Sequence, residues 1–200
     1  HLWHPFAELK KENTEVVFNK YNLNSHKRYV SILPGSRKSE IKNLLPTYIG
    51  FIKEHSKMYS NYEYLIPAVD ELSMHDIKSI IPSSLPIHVH KGCSKDFMSV
   101  SDYSIVTSGT ATLEAAVLGC NPIICYKTSF INYSIISRML KIDNVGLPNL
   151  LMGSRVFPEL IQGDCNVQNL MKEAEKMQKA FSQNSYTSIL RELLLGKGFK

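Results

Sequence analysis

From Tyr29 to Tyr126 short apolar runs alternate with longer amphipathic ones. Tyr29-Val30-Ser31-Ile32-Leu33 is a β-prone run closed by Pro34-Gly35. Between Glu40 and Lys53, Ile41, Leu44, Leu45, Tyr48, Ile49 and Ile52 recur at helical spacing and make one apolar stripe. The same alternation predicts strands at Tyr62–Ile66, Pro86–Val89, Tyr103–Thr107 and Pro122–Tyr126. Helices are predicted over Asp70–Ile81, Asp96–Val100 and Thr110–Leu118. Nearly every predicted strand is apolar throughout, as when both faces of a sheet are covered. Strand–helix–strand repetition then implies an α/β fold: a Rossmann-like parallel sheet of five strands, right-handed crossovers and helices on both faces.

Beyond Tyr126 the pattern changes. Phe130–Lys141 reads as a helix, buried or lying on a membrane surface, and Asp143–Pro158 as a Gly- and Pro-rich loop. Pro158 with Glu159 reads as a helix start. Leu170, Ala174, Met177 and Phe181 form one helical stripe, and Ile189, Leu190, Leu193 and Leu194 another. Five strands do not obviously cover these faces, so they are expected to pack on a missing part of the chain or on a second copy. The expected layout is one domain over 1–200, with a core at about 27–165 and C-terminal helices at 166–200.

Two hundred residues suffice for a sizeable core. Hydrophobic content of 44% and charged content of 20% exclude a disordered tail or a disulfide scaffold. No apolar run approaches the length of a membrane span. The net charge of +5 suits an anionic ligand or weak attraction to an acidic membrane. Its basic residues are scattered, unlike a nucleic-acid footprint, so no nucleic-acid partner is expected. Cys93, Cys120, Cys125 and Cys165 contain no C-x-x-C pair and read as free thiols of a reducing, cytoplasmic compartment. The chain opens on His1 with no signal-peptide pattern after it and reads as a piece of a longer protein.

Two strand-to-helix loops carry candidate chemistry. In Leu33-Pro34-Gly35-Ser36-Arg37-Lys38-Ser39-Glu40, Gly35 permits close backbone approach and Ser36 offers a hydroxyl. Arg37 can grip a phosphate with two donors. The same stretch equally suits an ordinary turn with Ser39 as N-cap. In Ser108-Gly109-Thr110-Ala111-Thr112-Leu113-Glu114, hydroxyls and small residues surround a helix N-terminus, where anions bind readily. Glu114, one turn further in, could accept hydrogen bonds from the two hydroxyls of a ribose. Neither loop is a G-x-G-x-x-G or P-loop motif. His88, His90 and Cys93 could be pictured on a zinc ion, but no fourth ligand accompanies them.

Taken together, Leu33–Ile41, Ser108–Ala115, Leu147-Pro148-Asn149-Leu150-Leu151 and Val156–Gln162 resemble the lipid-A-disaccharide synthases in order and spacing. His4-Pro5-Phe6-Ala7-Glu8 resembles the segment by which that family's chain enters its second half, although Trp3 stands where Gly is expected. The resemblance implies one lobe of a two-lobed glycosyltransferase of the B type. Such enzymes join UDP-2,3-diacylglucosamine to 2,3-diacylglucosamine 1-phosphate (lipid X), invert the anomeric carbon and release UDP. It implies that this chain is the donor-binding half, inactive alone. The general base and much of the acceptor site would belong to an absent N-terminal lobe. By resemblance Gly35, Ser36 and Arg37 face the donor diphosphate, and Ser108, Gly109, Thr110 and Thr112 surround phosphate oxygens. Glu114 takes the ribose, and Asn149, Glu159 and Gln162 line the donor side of the cleft. The family often carries Arg where this chain has Ser154, and Arg155 is the candidate replacement. No metal and no cofactor is expected. A second copy of the chain and peripheral contact with the inner face of the inner membrane are the further partners considered. A UDP-N-acetylglucosamine 2-epimerase, another enzyme of the B-type fold, or a non-catalytic nucleotide-binding module stand as alternatives.

Overall fold

The structure is a computed structural model that describes residues 4–127, 144–179 and 185–196. The helix expected at Phe130–Lys141 lies outside them, as does Phe181. Six strands form one parallel sheet: β1 (Arg28–Leu33), β2 (Tyr62–Ala68), β3 (Ile87–Lys91), β4 (Tyr103–Thr107), β5 (Pro122–Tyr126) and β6 (Glu159–Ile161). Their spatial order is β3-β2-β1-β4-β5-β6. The helices are α1 (His4–Ala7), α2 (Thr14–Tyr21), α3 (Lys38–Met58), α4 (Glu71–Ile80), α5 (Ser94–Val100), α6 (Thr110–Val117), α7 (Leu147–Met152), α8 (Val167–Lys179) and α9 (Ser185–Leu194).

Side chains alternate across β1 and so feed both faces of the sheet. Val30 and Ile32 join a core with Leu44, Tyr48, Phe51 and Ile52 of α3 and Leu170 and Ala174 of α8. Tyr29 packs on the other face with Val17 of α2 and Phe97 of α5, and Leu33 with Met98 and Ala115. Ser31 is the polar position of β1, and it is satisfied by Ser101 Oγ at 2.8 Å. The stripe expected over Glu40–Lys53 is extended at both ends, and α3 runs through Pro46 to Met58. Its last buried residue, His55, is held by Tyr64, Tyr103 and Gln178. The Gln178 amide nitrogen can only donate, so Nε2 of His55 accepts and Nδ1 carries the proton to Tyr64 Oη, 2.6 Å away. Burial lowers the His55 pKa to about 4.

Three expectations are corrected. The loop at Asp143–Pro158 contains a helix, α7, begun at Leu147-Pro148 and ended by Gly153 in a left-handed conformation. Glu159 does not open a helix. It opens β6, a sixth strand paired parallel to β5. Finally, the C-terminal stripes are covered within the chain: Leu170 and Ala174 against α3 and the sheet, Leu190 and Leu194 against Ala7, Leu113 and Val117. Arg191 fastens α9 by donating to the carbonyls of Ala7, Leu9 and Val117.

Candidate functional site

The strand order reverses between β1 and β4, and open α/β sheets bind ligands at the carboxyl ends of strands at such a point. A cleft of about 580 Å³ opens there. One wall is polar: Gly35, Ser36 and Arg37 after β1, Ser108, Gly109 and Thr110 after β4, with Glu40 from the first turn of α3 and Glu114 from one turn into α6. The rest of the lining comes from Pro67-Ala68-Val69 at the end of β2 and Gly92-Cys93-Ser94 after β3. The two loops singled out in the sequence thus meet, although 71 positions separate Arg37 from Ser108. Glu114 is half-buried, and desolvation raises its carboxyl pKa above the usual carboxylate value.

The β1–α3 turn is organised by a residue that was not a site candidate. Arg37, rather than Ser39, occupies the N-cap position of α3. Glu40 Oε2 accepts from the backbone N–H of Ser36 at 3.0 Å and of Arg37 at 3.2 Å, and Oε1 accepts from Arg37 Nη1 at 2.9 Å. Gly35 has φ +104°, and a Cβ there would lie 2.7 Å from Glu40 Cβ and still closer to Oε2. Glycine at 35 is therefore demanded by the turn and by Glu40 before any ligand is considered.

After β4, Ser108 N–H donates to the Cys125 carbonyl and its hydroxyl to the Val145 carbonyl, each at 2.8 Å. Both donors of Ser108 are thereby used within the chain. Thr112 is fully buried and donates its hydroxyl to the Gly109 carbonyl at 2.7 Å, shaping the turn from behind the cleft. Gly109 and Thr110 bring the N–H groups that a helix N-terminus leaves without an intrahelical partner.

Asn149 and Glu159 do not line the cleft. Both are buried and bonded to each other, Asn149 Nδ2 to Glu159 Oε1, at 2.8 Å. Glu159 also accepts from the N–H groups of Val145 and Gly146 at 2.8 and 2.9 Å. Asn149 Oδ1 accepts from those of Val156 and Phe157 at 3.0 and 2.9 Å. This network fixes the segment to which Ser108 is tied, so the pair supports the cleft from behind. Arg155 is half-exposed, reaching Asn144 Oδ1 at 3.4 Å and Glu159 Oε2 at 3.9 Å. Gln162 opens a short 3-10 turn after β6 with φ 51°. Neither is among the described residues lining the cleft.

Sequence reasoning missed Glu40 and the lining from β2 and β3. The ends of those two strands were legible, and the rule that ligands bind beyond strand ends would have nominated Pro67–Val69 and Gly92–Ser94. On β3, His88 Nε2 lies 2.8 Å from Glu63 Oε2, and Cys93 Sγ donates to the His90 carbonyl at 3.3 Å. Among the described residues no group of His, Cys, Asp or Glu is arranged to hold a metal ion.

A doubly wound parallel sheet with its cleft at the β1/β4 reversal is the fold of one lobe of the B-type glycosyltransferases. A solved structure of the Escherichia coli ADP-heptose lipopolysaccharide heptosyltransferase II superposes with a TM-score of 0.62 at 12% identity, covering 85% of this chain and 52% of that one. A glycosyltransferase from Rickettsia africae gives 0.59 at 12% identity, covering 97% and 49%.

Residues 1–195 match the lipid-A-disaccharide synthetase family, and the chain belongs to it. The lipid-A-disaccharide synthase of Acinetobacter baylyi is 36% identical over 187 residues, covering 87% of this chain and 47% of that protein. The synthase of a Sulfurihydrogenibium species is 36% identical over 181 residues, covering 83% and 46%. The chain therefore spans about half the length of the curated relatives it matches.

Proposed function

We propose that this chain is the donor-binding half of an enzyme that transfers 2,3-diacylglucosamine from UDP to 2,3-diacylglucosamine 1-phosphate, forming the lipid A disaccharide phosphate and UDP. In this reading residues 1–200 are the nucleotide-sugar lobe, with a core at about 27–165 and C-terminal helices within 166–200, of which α8 and α9 pack on the rest of the chain. The observation that carries this reading is the meeting of Gly35–Arg37, Gly109–Thr110 and Glu114 in one cleft of a chain that belongs to the synthetase family.

The chemistry follows from the charges. As the acceptor hydroxyl attacks the anomeric carbon, the bond from that carbon to the diphosphate oxygen breaks and negative charge grows on UDP. Arg37 and the helix N–H groups at Gly109 and Thr110 stabilise that charge, a preorganised electrostatic contribution. Glu114 accepts from the ribose hydroxyls. The other half of the full-length protein supplies the general base and most of the acceptor site. Among the described residues no helix is long and apolar enough to cross a membrane. Lipid substrates then reach the enzyme through peripheral contact of a basic chain with an acidic leaflet.

The test is calorimetric titration of the full-length protein with UDP, beside ADP, together with an assay for the acylated disaccharide. UDP binding that ADP does not share is expected. Arg37→Ala should weaken it about tenfold or more, the size of a lost charge-assisted contact. The unfolding midpoint should barely move, because the Arg37 side chain is 79% exposed. Absence of UDP binding, or unchanged turnover in Arg37→Ala, refutes the assignment.

A further inference from the structure

The geometry points to Glu40 as the positioning residue for Arg37, acting on the donor diphosphate through that guanidinium. This rests on the donor-site reading above. Glu40 divides its carboxylate between two tasks. One oxygen takes the N–H groups of Ser36 and Arg37, and the other takes Arg37 Nη1 at 2.9 Å. A helix cap needs only the first of these. The second restrains a long side chain that is 79% exposed by means of one that is only 21% exposed.

An arginine carries five N–H donors in a planar fork, and the contact to Glu40 uses one. Nε and Nη2 remain to meet two phosphate oxygens, with the plane of the fork already set. Without Glu40 the guanidinium is free to sample many rotamers over open solvent, and ordering it falls on the binding step. Gly35 belongs to the same device. With a Cβ it would collide with the Glu40 side chain, so the carboxylate can hold this position only beside a glycine. The cleft face of the turn is thus preorganised from within α3, before ligand arrives.

The experiment is a double-mutant cycle on the full-length protein: wild type, Glu40→Gln, Arg37→Ala and the double variant, each titrated with UDP and each melted. Glutamine keeps the length of the side chain and one acceptor for the turn, while losing the ionic hold on Arg37. In the wild-type background Glu40→Gln is expected to weaken UDP about fivefold, the upper range for one exposed ion pair. In the Arg37→Ala background the same change should cost nothing, because the residue it acts through is gone. An equal loss in both backgrounds would show a cap and nothing more, and overturns the inference. Tighter binding in Glu40→Gln would also overturn it, by showing that the carboxylate competes with the diphosphate. If wild type binds no UDP, the donor-site reading fails first and takes this inference with it. The unfolding midpoints report the capping contribution separately, because weakening the cap lowers them equally in either background.

Discussion

Replacing Glu159 with alanine removes the acceptor of three hydrogen bonds at 2.8–2.9 Å: two from backbone N–H groups and one from the Asn149 amide. The hole is buried, and Asn149 cannot compensate, because its own oxygen already serves Val156 and Phe157. An unsatisfied buried donor costs about 1–3 kcal/mol, and bonds to a charged acceptor lie at the upper end. Relief of the desolvated carboxylate, which lies 3.9 Å from the Arg155 guanidinium, offsets part of this. The net expected loss is about 3–4 kcal/mol. For a unit of this size each kcal/mol moves the midpoint by about 2–4 °C, so Tm should drop by roughly 10 °C. Thermal and urea unfolding of the full-length protein, followed by circular dichroism, measures it. Glu159→Gln, which keeps one acceptor but turns an NH₂ toward an N–H, should fall between. UDP affinity should drop as well, because Ser108 is anchored to Val145 in the segment that Glu159 holds. A stability loss below about 1 kcal/mol in the alanine variant would mean that the three donors find other partners and that Glu159 does not hold this segment.

Two further outcomes follow from the fold. His55 is neutral in the folded state, with a pKa of about 4, whereas unfolded histidine titrates near 6.5. The unfolded state therefore binds more protons between those values, so this contribution is complete above pH 6.5 and declines toward pH 4, by about 3 kcal/mol in all. Acid unfolding of wild type beside His55→Gln checks it: the variant should lose less stability than wild type over that window. Arg191→Ala removes charge-assisted bonds to three carbonyls, one of them Val117 O at the end of α6. A loss of about 2 kcal/mol is expected, with faster proteolysis around residues 8–12, and a midpoint within error of wild type would count against the clamp.

How far the sequence could be read depends on where the physical signal lies. The stripe Ile41-Leu44-Leu45-Tyr48-Ile52 predicted α3 because helical burial repeats every three to four residues regardless of what it packs against. The strands β1, β2, β4 and β5 were legible as apolar runs ended by turn residues. β6 was not, because three residues led by Glu159 carry no apolar pattern. The Asn149 amide and the N–H groups of Val145 and Gly146, all donated from elsewhere in the chain, make a carboxylate tolerable there. Helix α7 was hidden for a similar reason: Gly146, Pro148 and Gly153 read as loop residues until Pro148 is seen in a first helical turn and Gly153 as its left-handed terminus.

The site divides along the same line. Gly35, Ser36, Arg37, Gly109, Thr110 and Glu114 were identified as cleft candidates by position in strand-to-helix loops, and the fold brings them to one cleft. Asn149 and Glu159 were drawn from a motif, and a motif records that residues recur together without saying which way they face. By itself the sequence determined the alternation of strands and helices, the parallel sheet and the two polar loops, because local periodicity and turn chemistry act over a few residues. Tertiary structure alone decided which loops meet, that Glu40 rather than solvent holds Arg37, and that the last helices cover their own core. Those outcomes depend on strand order and on pairs far apart in the chain, which no local pattern encodes.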